Sequence, residues 1–171
     1  MKAWGLALLG AVFICVGSLM AVWFQTSGGQ VEVRDIRIEG SNGEIISALV
    51  YRPTGATAAA PAPAILVSHG FINTREMQSP FAIELSRRGY VVLAMDMSGH
   101  GGSSGVLLEN GAGGPAALAW LRGQPYVDAD NIGLEGHSMG GVPVHLAIAG
   151  AGSLDKEHQD GLRALATERL G

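Results

Sequence analysis

Residues 132–141 decide the fold, and they read Ile132-Gly133-Leu134-Glu135-Gly136-His137-Ser138-Met139-Gly140-Gly141. The residues up to His137 are typical of a buried strand, and the small residues from Met139 to about residue 149 predict a helix. Gly-x-Ser-x-Gly at the sharp turn from a strand into a helix is the sequence context of a nucleophile elbow. We therefore predict that Ser138 is a nucleophile.

The glycines around Ser138 have a steric reason. The turn forces the serine backbone into a strained conformation, so Gly136 and Gly140 must lack side chains if the strand and the helix are to approach each other. Gly141 is expected to extend this close packing, and His137 belongs to the supporting residues. The backbone N–H of Met139 and the dipole of the following helix are expected to stabilise an oxyanion.

Strands and helices alternate before this turn. Alternating apolar and charged residues predict a strand at 31–39. The turn signal Ser41-Asn42-Gly43 follows it, so we predict that 45–51 is the return strand of a hairpin. A loop is predicted at 54–63, and Ser79-Pro80 is the capping candidate at the start of the next helix. The remaining predicted elements are a strand at 64–67, a helix at 79–88, a strand at 90–95 and a helix at 114–122. The order predicts an α/β fold with a mostly parallel sheet, flanking helices and an N-terminal antiparallel hairpin.

The predicted strand at 64–67 leads into Ser68-His69-Gly70-Phe71. A loop at this place is expected to supply a second oxyanion N–H, most simply that of Phe71. We interpret His69 as structural and Gly70 as a supporting residue.

A third segment, Asp96-Met97-Ser98-Gly99-His100-Gly101-Gly102-Ser103, follows the next strand. With the two segments above, in this order and spacing, it resembles the strand ends of the α/β-hydrolase family over about residues 31 to 150. The similarity is greatest to the dienelactone-hydrolase-like and serine esterase or peptidase-like branches. Their members often read Asp-x-Arg-Gly-His-Gly-x-Ser here, and Ser98 replaces that arginine.

The resemblance implies a sheet order of 1-2-4-3-5-6-7-8, with the triad acid after a later strand and the triad histidine after the last. Neither residue is placed in this sequence, so we expect a chain truncated after the nucleophile helix, with the fifth strand as an open apolar edge. Other histidines are poor substitutes for the base: His145 is expected to pack, His100 to hold its loop, and His158 lies in the tail.

The N-terminus predicts a membrane span. Residues 3–24 carry no charge and reach roughly 30 Å as a helix at about 1.5 Å per residue. Trp4 and Trp23 lie at its two ends, where aromatic rings favour the headgroup level, and Lys2 favours a cytoplasmic N-terminus. We expect a single-pass anchor with an extracytoplasmic domain, and a signal peptide is the alternative.

The composition narrows the possible binding partners and the possible disulfide bonds. The net charge is −4 and the basic residues are scattered, which disfavours nucleic acid as a partner. Cys15 is the single cysteine, so no intrachain disulfide is expected. The predicted division is an anchor at 1–24, a spacer at 25–30, a partial α/β-hydrolase domain at 31–152 and a charged amphipathic tail at 153–171.

These features favour a membrane-anchored serine hydrolase that acts on a small-molecule or peptide acyl substrate, needs no metal or cofactor, and contacts the lipid bilayer. The alternative is a non-catalytic, membrane-tethered scaffold or binding protein that keeps a degenerate hydrolase fold. The missing triad acid and histidine favour the scaffold, whereas an exposed serine at a strained turn favours the enzyme.

Overall fold

The structure is a computed structural model that describes residues 3–40 and 42–148. The strands are β1 (Val31–Glu39), β2 (Ile45–Pro53), β3 (Ala62–Ser68), β4 (Val91–Met95) and β5 (Val127–Gly136). The helices are α1 (Ala3–Gln25), α2 (Ser79–Arg87), α3 (Gly114–Arg122) and α4 (Gly141–Ile148), and short 3-10 turns lie at Arg75–Gln78, Glu109–Gly113 and Ser138–Gly140. The predicted tail at 153–171 and the predicted domain end at 152 lie outside the described residues.

The five strands form one sheet in the order β1-β2-β4-β3-β5. β2 is antiparallel to both of its neighbours, and β3 is parallel to β4 and to β5. Four strands therefore point one way and β2 points the other way. This arrangement confirms the predicted hairpin and the first five positions of the predicted strand order.

Side-chain alternation gives the sheet two apolar faces. Along β4, Val91, Leu93 and Met95 pack into one core cluster, while Val92 and Ala94 pack into another. The first cluster includes residues of α3 and α4, and the second includes Ala82 of α2. Because successive side chains of a strand point to opposite faces, the helices cover both sides of the sheet.

The structure corrects several predicted boundaries. β2 continues through Pro53, β3 begins at Ala62 inside the predicted loop, and β5 begins at Val127, five residues earlier than predicted. Among the described strands β5 pairs only with β3. Its outer edge is less apolar than predicted, because Asp130 and Asn131 are exposed there.

The start of α2 also differs from the prediction. Ser79 is the first helical residue and not the cap, since Gln78 occupies the cap position without a side-chain capping bond. The Ser79 hydroxyl instead shares a hydrogen bond of 2.7 Å with the hydroxyl of Tyr51, which is fully buried. This bond satisfies the polar end of a buried tyrosine and fastens α2 to β2.

α1 is a 23-residue helix in which every residue is exposed. Among the described residues it is the one helix that is long and apolar enough to cross a membrane. Its length agrees with the predicted span, and a signal sequence of this length and composition would look the same.

Arg75 connects four parts of the domain. Its guanidinium donates two hydrogen bonds of 2.8 Å to the carboxylate of Asp35 on β1, and one of 2.6 Å to the hydroxyl of Ser47 on β2. Its backbone N–H donates to Asp96 after β4 at 2.7 Å. The hydrogen bonds from Arg75 also hold the pKa of Asp35 below its usual value. Arg75 is only 9% exposed, so these bonds replace the hydration of a buried cation.

Replacing Arg75 tests this connection. We expect Arg75→Gln to lower the free energy of unfolding by about 2–3 kcal/mol, because the charged hydrogen bonds to Asp35 are lost and the buried Ser47 hydroxyl loses its partner. Arg88→Gln is the matched control, since Arg88 pairs with Glu84 on the exposed face of α2 and its loss is expected to change stability little. Denaturant titration of both variants gives the comparison, and equal losses would show that Arg75 is no more than a surface charge.

Candidate active site

Ser138 lies at the turn that follows β5, and its φ of +55° is in the left-handed region. His137 before it is extended, and α4 begins three residues after Ser138. A non-glycine residue in this conformation is strained, and such strain persists only where the surroundings enforce it. Ser138 is exposed at the end of the sheet where β3, β4 and β5 also end.

Two glycines enforce the turn. A Cβ on Gly140 would lie 2.3 Å from the carbonyl oxygen of Ser68 and 2.5 Å from that of His69, and a Cβ on Gly136 would lie 2.2 Å from the carbonyl oxygen of Gly140. Backbone oxygens at such distances leave no room for a side chain. Gly141 was expected to share this role, and that expectation is wrong: the nearest atom to a Cβ there is the ring Nδ1 of His145 at 4.0 Å.

The two glycines provide a matched test of the packing. We expect Gly140→Ala to lower the free energy of unfolding by about 3 kcal/mol, because its methyl group would overlap the backbone at the end of β3. We expect Gly141→Ala to leave stability unchanged or to raise it by up to about 1 kcal/mol, since alanine favours a helix where space permits. Thermal and denaturant unfolding measure both effects, and a tolerated Gly140→Ala variant would refute the close approach.

The loop after β3 lies directly against the elbow. His137 donates its backbone N–H to the carbonyl oxygen of Ser68 at 3.1 Å. A Cβ on Gly70 would lie 2.9 Å from the ring Nδ1 of His137, so the absence of a side chain at Gly70 lets the histidine ring lie beside the loop. The structure thus brings together the two segments that carry the predicted oxyanion amides.

The hydrogen bonding of the Phe71 and Met139 amides bears on the predicted oxyanion hole. Within the described residues, neither N–H takes part in a hydrogen bond in a loop, turn or cap. Met139 is the second residue of a helical turn, where N–H groups have no acceptor within the helix. The assignment of these two amides as an oxyanion hole remains a prediction.

His69 is fully buried beneath this loop. Its Nδ1 is 2.7 Å from the carbonyl oxygen of Gly70, and its Nε2 is 3.1 Å from the backbone nitrogen of Met97. Nδ1 therefore donates and Nε2 accepts, which is the pattern of a neutral imidazole. Burial also lowers the pKa of His69 below its usual value, which favours the neutral ring. This geometry agrees with the predicted structural role, because a neutral ring fixes the loop after β3 to the loop after β4.

The lowered pKa of His69 makes stability depend on pH. As the pH falls below about 6.5, the unfolded chain binds a proton that the folded chain does not bind. The contribution of His69 to the free energy of unfolding is therefore fully present above pH 6.5. It declines below that pH by at most about 1.4 kcal/mol per pH unit. The decline stops once the pH is below the folded-state pKa.

Urea unfolding between pH 5 and 8 tests this dependence. We expect His69→Gln to have a smaller slope below pH 6.5, and His145→Gln, which changes an exposed ring, to keep the slope of the parent. Equal slopes in both variants would contradict a buried neutral His69.

Sequence reasoning missed the role of Asp96. Its buried carboxylate accepts the backbone N–H of Arg75 at 2.7 Å and that of Gly102 at 2.9 Å, and its carbonyl oxygen accepts the hydroxyl of Ser103 at 2.8 Å. A Cβ on Gly101 would lie 2.3 Å from this carboxylate, which explains the glycine. An aspartate directly after a buried strand, followed by Gly-Gly-Ser, is the signal that would have predicted such a loop.

The remaining histidines are placed as follows. The ring of His100 contacts the rings of His69 and Phe71 at centroid distances of 5.3 and 6.2 Å, as expected of a residue that holds its loop. His145 does not pack as predicted, because it is exposed and its Nδ1 bonds to the carbonyl oxygen of Gly141 at 2.7 Å. His158 lies outside the described residues.

Among the described residues, neither a base nor a metal site is evident around Ser138. In the part of the chain that the structure describes, no hydrogen bond to the Ser138 hydroxyl is present, and no group of three or more histidine, cysteine, aspartate or glutamate side chains is arranged to bind a metal ion. The geometry therefore defines a serine with candidate oxyanion donors.

A sheet in the order 1-2-4-3-5, with a strained serine between the fifth strand and the next helix, defines an α/β-hydrolase fold. The family model of the X-Pro dipeptidyl-peptidases (S15 family) matches residues 42–162. The chain belongs to this family of hydrolases.

The chain is also similar to two proteins whose names assign no function. An uncharacterized protein of Mycobacterium tuberculosis is 35% identical over 118 residues, which are 67% of this chain and 41% of that protein. The chain thus spans less than half the length of the curated relatives that it matches. A hypothetical protein from Pseudomonas aeruginosa has a solved structure with a TM-score of 0.63 and 28% identity, covering 74% of this chain and 40% of the other.

Two esterases share the fold at lower identity. Acetyl xylan esterase 1 from Thermoanaerobacterium gives a TM-score of 0.60 at 21% identity, over 70% of this chain and 44% of the esterase. A Pyrococcus furiosus esterase gives 0.56 at 23% identity, over 74% and 46%. At these identities the similarity shows the fold alone.

Proposed function

We propose that this chain supplies the nucleophile part of a membrane-anchored serine hydrolase that cleaves an acyl ester or amide bond. The observation that carries the proposal is the backbone of Ser138, which is held at a φ of +55° in an exposed turn. A scaffold gains nothing from strain at an exposed serine, whereas a nucleophile gains an accessible Oγ at a helix N-terminus.

In the proposed reaction the Oγ of Ser138 attacks the carbonyl carbon of the substrate. The carbonyl oxygen then takes a negative charge, and the N–H groups of Phe71 and Met139 donate hydrogen bonds to it. The serine proton passes to a general base, the leaving group departs, and water hydrolyses the acyl-serine. We assign the base and its carboxylate to no described residue, and no metal or cofactor takes part in these steps.

The family and the fold support a hydrolytic reaction. The matched family is one of X-Pro dipeptidyl-peptidases, and the structural neighbours include esterases, so a small-molecule or peptide acyl substrate agrees with both. Nucleic acid is not a proposed partner, because the basic residues are scattered and the net charge is −4.

The anchoring part of the proposal rests on α1. Its 23 residues are uncharged, mostly apolar and exposed, and in a bilayer the apolar side chains would lose their contact with water. We propose an anchor at 1–24, a spacer at 25–30, a partial hydrolase domain at 31–152 on the extracytoplasmic side, and a charged tail at 153–171.

A fluorophosphonate probe tests the nucleophile. We expect slow covalent labelling that depends on Ser138, because a serine with an oxyanion hole but no paired base keeps only part of the catalysis of a complete triad. Ser138→Ala is expected to abolish labelling, and Ser104→Ala, which removes another exposed serine at the same edge, is expected to label like the parent. Gel fluorescence and peptide mass spectrometry locate the adduct.

Two results would contradict the proposed nucleophile. Labelling that survives Ser138→Ala would move the reactive group elsewhere. A folded chain that never labels, even with imidazole added as an external base, would favour a non-catalytic scaffold, since imidazole would supply a base that can accept the proton of Ser138.

A further inference from the structure

The membrane helix and Ser138 lie at opposite edges of the sheet. α1 leads through residues 26–30 into the first residue of β1, Val31. β1 and β4 are both antiparallel to β2, so β1 runs in the same direction as β3, β4 and β5. Val31 therefore lies where these strands begin, and Ser138 lies where they end.

The strand register gives the separation of the two ends. Gly136 of β5 is level with Ser68, Met95 and Ala48 on successive strands, and finally with Ile36 on β1. Val31 lies five residues before Ile36, which is about 17 Å along the strand, and four strand spacings add about 19 Å across the sheet. The two ends are thus roughly 25 Å apart by these spacings.

The link between the helix and the domain is a hydrogen-bonded turn. Gly28 donates its N–H to the carbonyl oxygen of Trp23 at 2.8 Å, and Val31 donates to that of Thr26 at 2.9 Å. Thr54, which follows β2, donates to the carbonyl oxygen of Gln30 at 2.9 Å. Bonds on both sides of the turn restrict how far the domain can lean relative to α1.

The contacts of α1 also lie at the edge far from Ser138. Trp23 and Phe24 line a cavity of about 440 Å³ together with Ile83 and Arg87 in the second half of α2, which runs away from the Ser138 edge. Tryptophan and arginine side chains favour the bilayer surface, where an apolar body and a polar end are both accommodated. Because all residues of α1 are exposed, the helix does not fold back over the domain.

Exposed apolar side chains lie at the other end of α2. Outside α1, the described residues include six exposed large apolar side chains, and four of these belong to residues 71–81: Phe71, Ile72, Met77 and Phe81. They begin beside the proposed oxyanion amide and continue into the first turn of α2. They are the side chains that would enter the bilayer if the domain tilted so that its Ser138 edge approached the membrane surface.

We propose that the anchor holds the Ser138 edge away from the bilayer that α1 crosses, so that the site takes acyl substrates from the aqueous phase and not lipids of that bilayer. This inference rests on the proposed anchoring and on the proposed hydrolase function. The exposed apolar residues at 71–81 then face water and the incoming substrate.

Site-directed spin labelling of the full 171-residue chain in phosphatidylcholine nanodiscs tests the arrangement. Cys15 is the single cysteine and lies within α1, so the native chain labels the anchor itself. In a Cys15→Ala background, Ile72→Cys places a label at the Ser138 edge and Gln30→Cys places one at the turn. Collision rates with oxygen, which concentrates in lipid, and with a water-soluble nickel chelate are measured at each site.

We expect the label at residue 15 to collide mainly with oxygen, the label at residue 30 to be intermediate, and the label at residue 72 to collide with the nickel chelate severalfold more often than the label at 15. Oxygen-dominated collisions at both 15 and 72 would overturn the inference while leaving the anchor in place. Nickel-dominated collisions at 15 would show that α1 does not cross the bilayer, and would overturn the anchoring and the inference together. None of these readings depends on catalysis.

Discussion

The close contact between Gly140 and the end of β3 is the constraint on which the candidate site depends. The Cα of Gly140 lies so near the carbonyl oxygens of Ser68 and His69 that no side chain fits between them. This approach brings the turn that leads into α4 against the loop after β3. The same contact holds the backbone of Ser138 in the left-handed region, because the chain must leave β5 and enter a helix within three residues. The strain at Ser138 is thus balanced by the packing of the parallel strands and of the helix that follows.

A buried network of polar side chains supports the loops at the ends of β3 and β4. Neutral His69 links the loop after β3 to the backbone after β4, and Asp96 bonds to the backbone of both loops. Arg75 carries this connection to β1 and β2 through Asp35 and Ser47. Such groups are costly to bury alone, but here nearly all are paired, so the network favours one loop arrangement over its alternatives. The candidate oxyanion amide of Phe71 lies in the loop that this network holds.

Much of this architecture could be predicted from the sequence. The hairpin, the strand order and the bounds of α3 follow from apolar periodicity and from the resemblance to hydrolases, and the structure confirms them. Gly136 and Gly140 were recognised because a turn of this kind excludes side chains. Gly141 was misjudged, since sequence spacing alone does not tell which of two adjacent glycines faces the sheet. Arg75 and Asp96 were missed because their partners are distant in the chain, and only the strand register brings Asp35, Ser47 and Asp96 to one place.

The central claim is that Ser138 and two backbone amides form one acyl-transfer site, and the crystal structure of the phosphonate adduct tests it most directly. The account predicts phosphorus on the Oγ of Ser138, with its unesterified oxygen about 2.7–3.1 Å from the amide nitrogens of both Phe71 and Met139. An adduct on Ser138 whose oxygen points into solvent, away from both amides, would contradict the proposed oxyanion hole. An adduct on any other residue would contradict the assignment of the nucleophile.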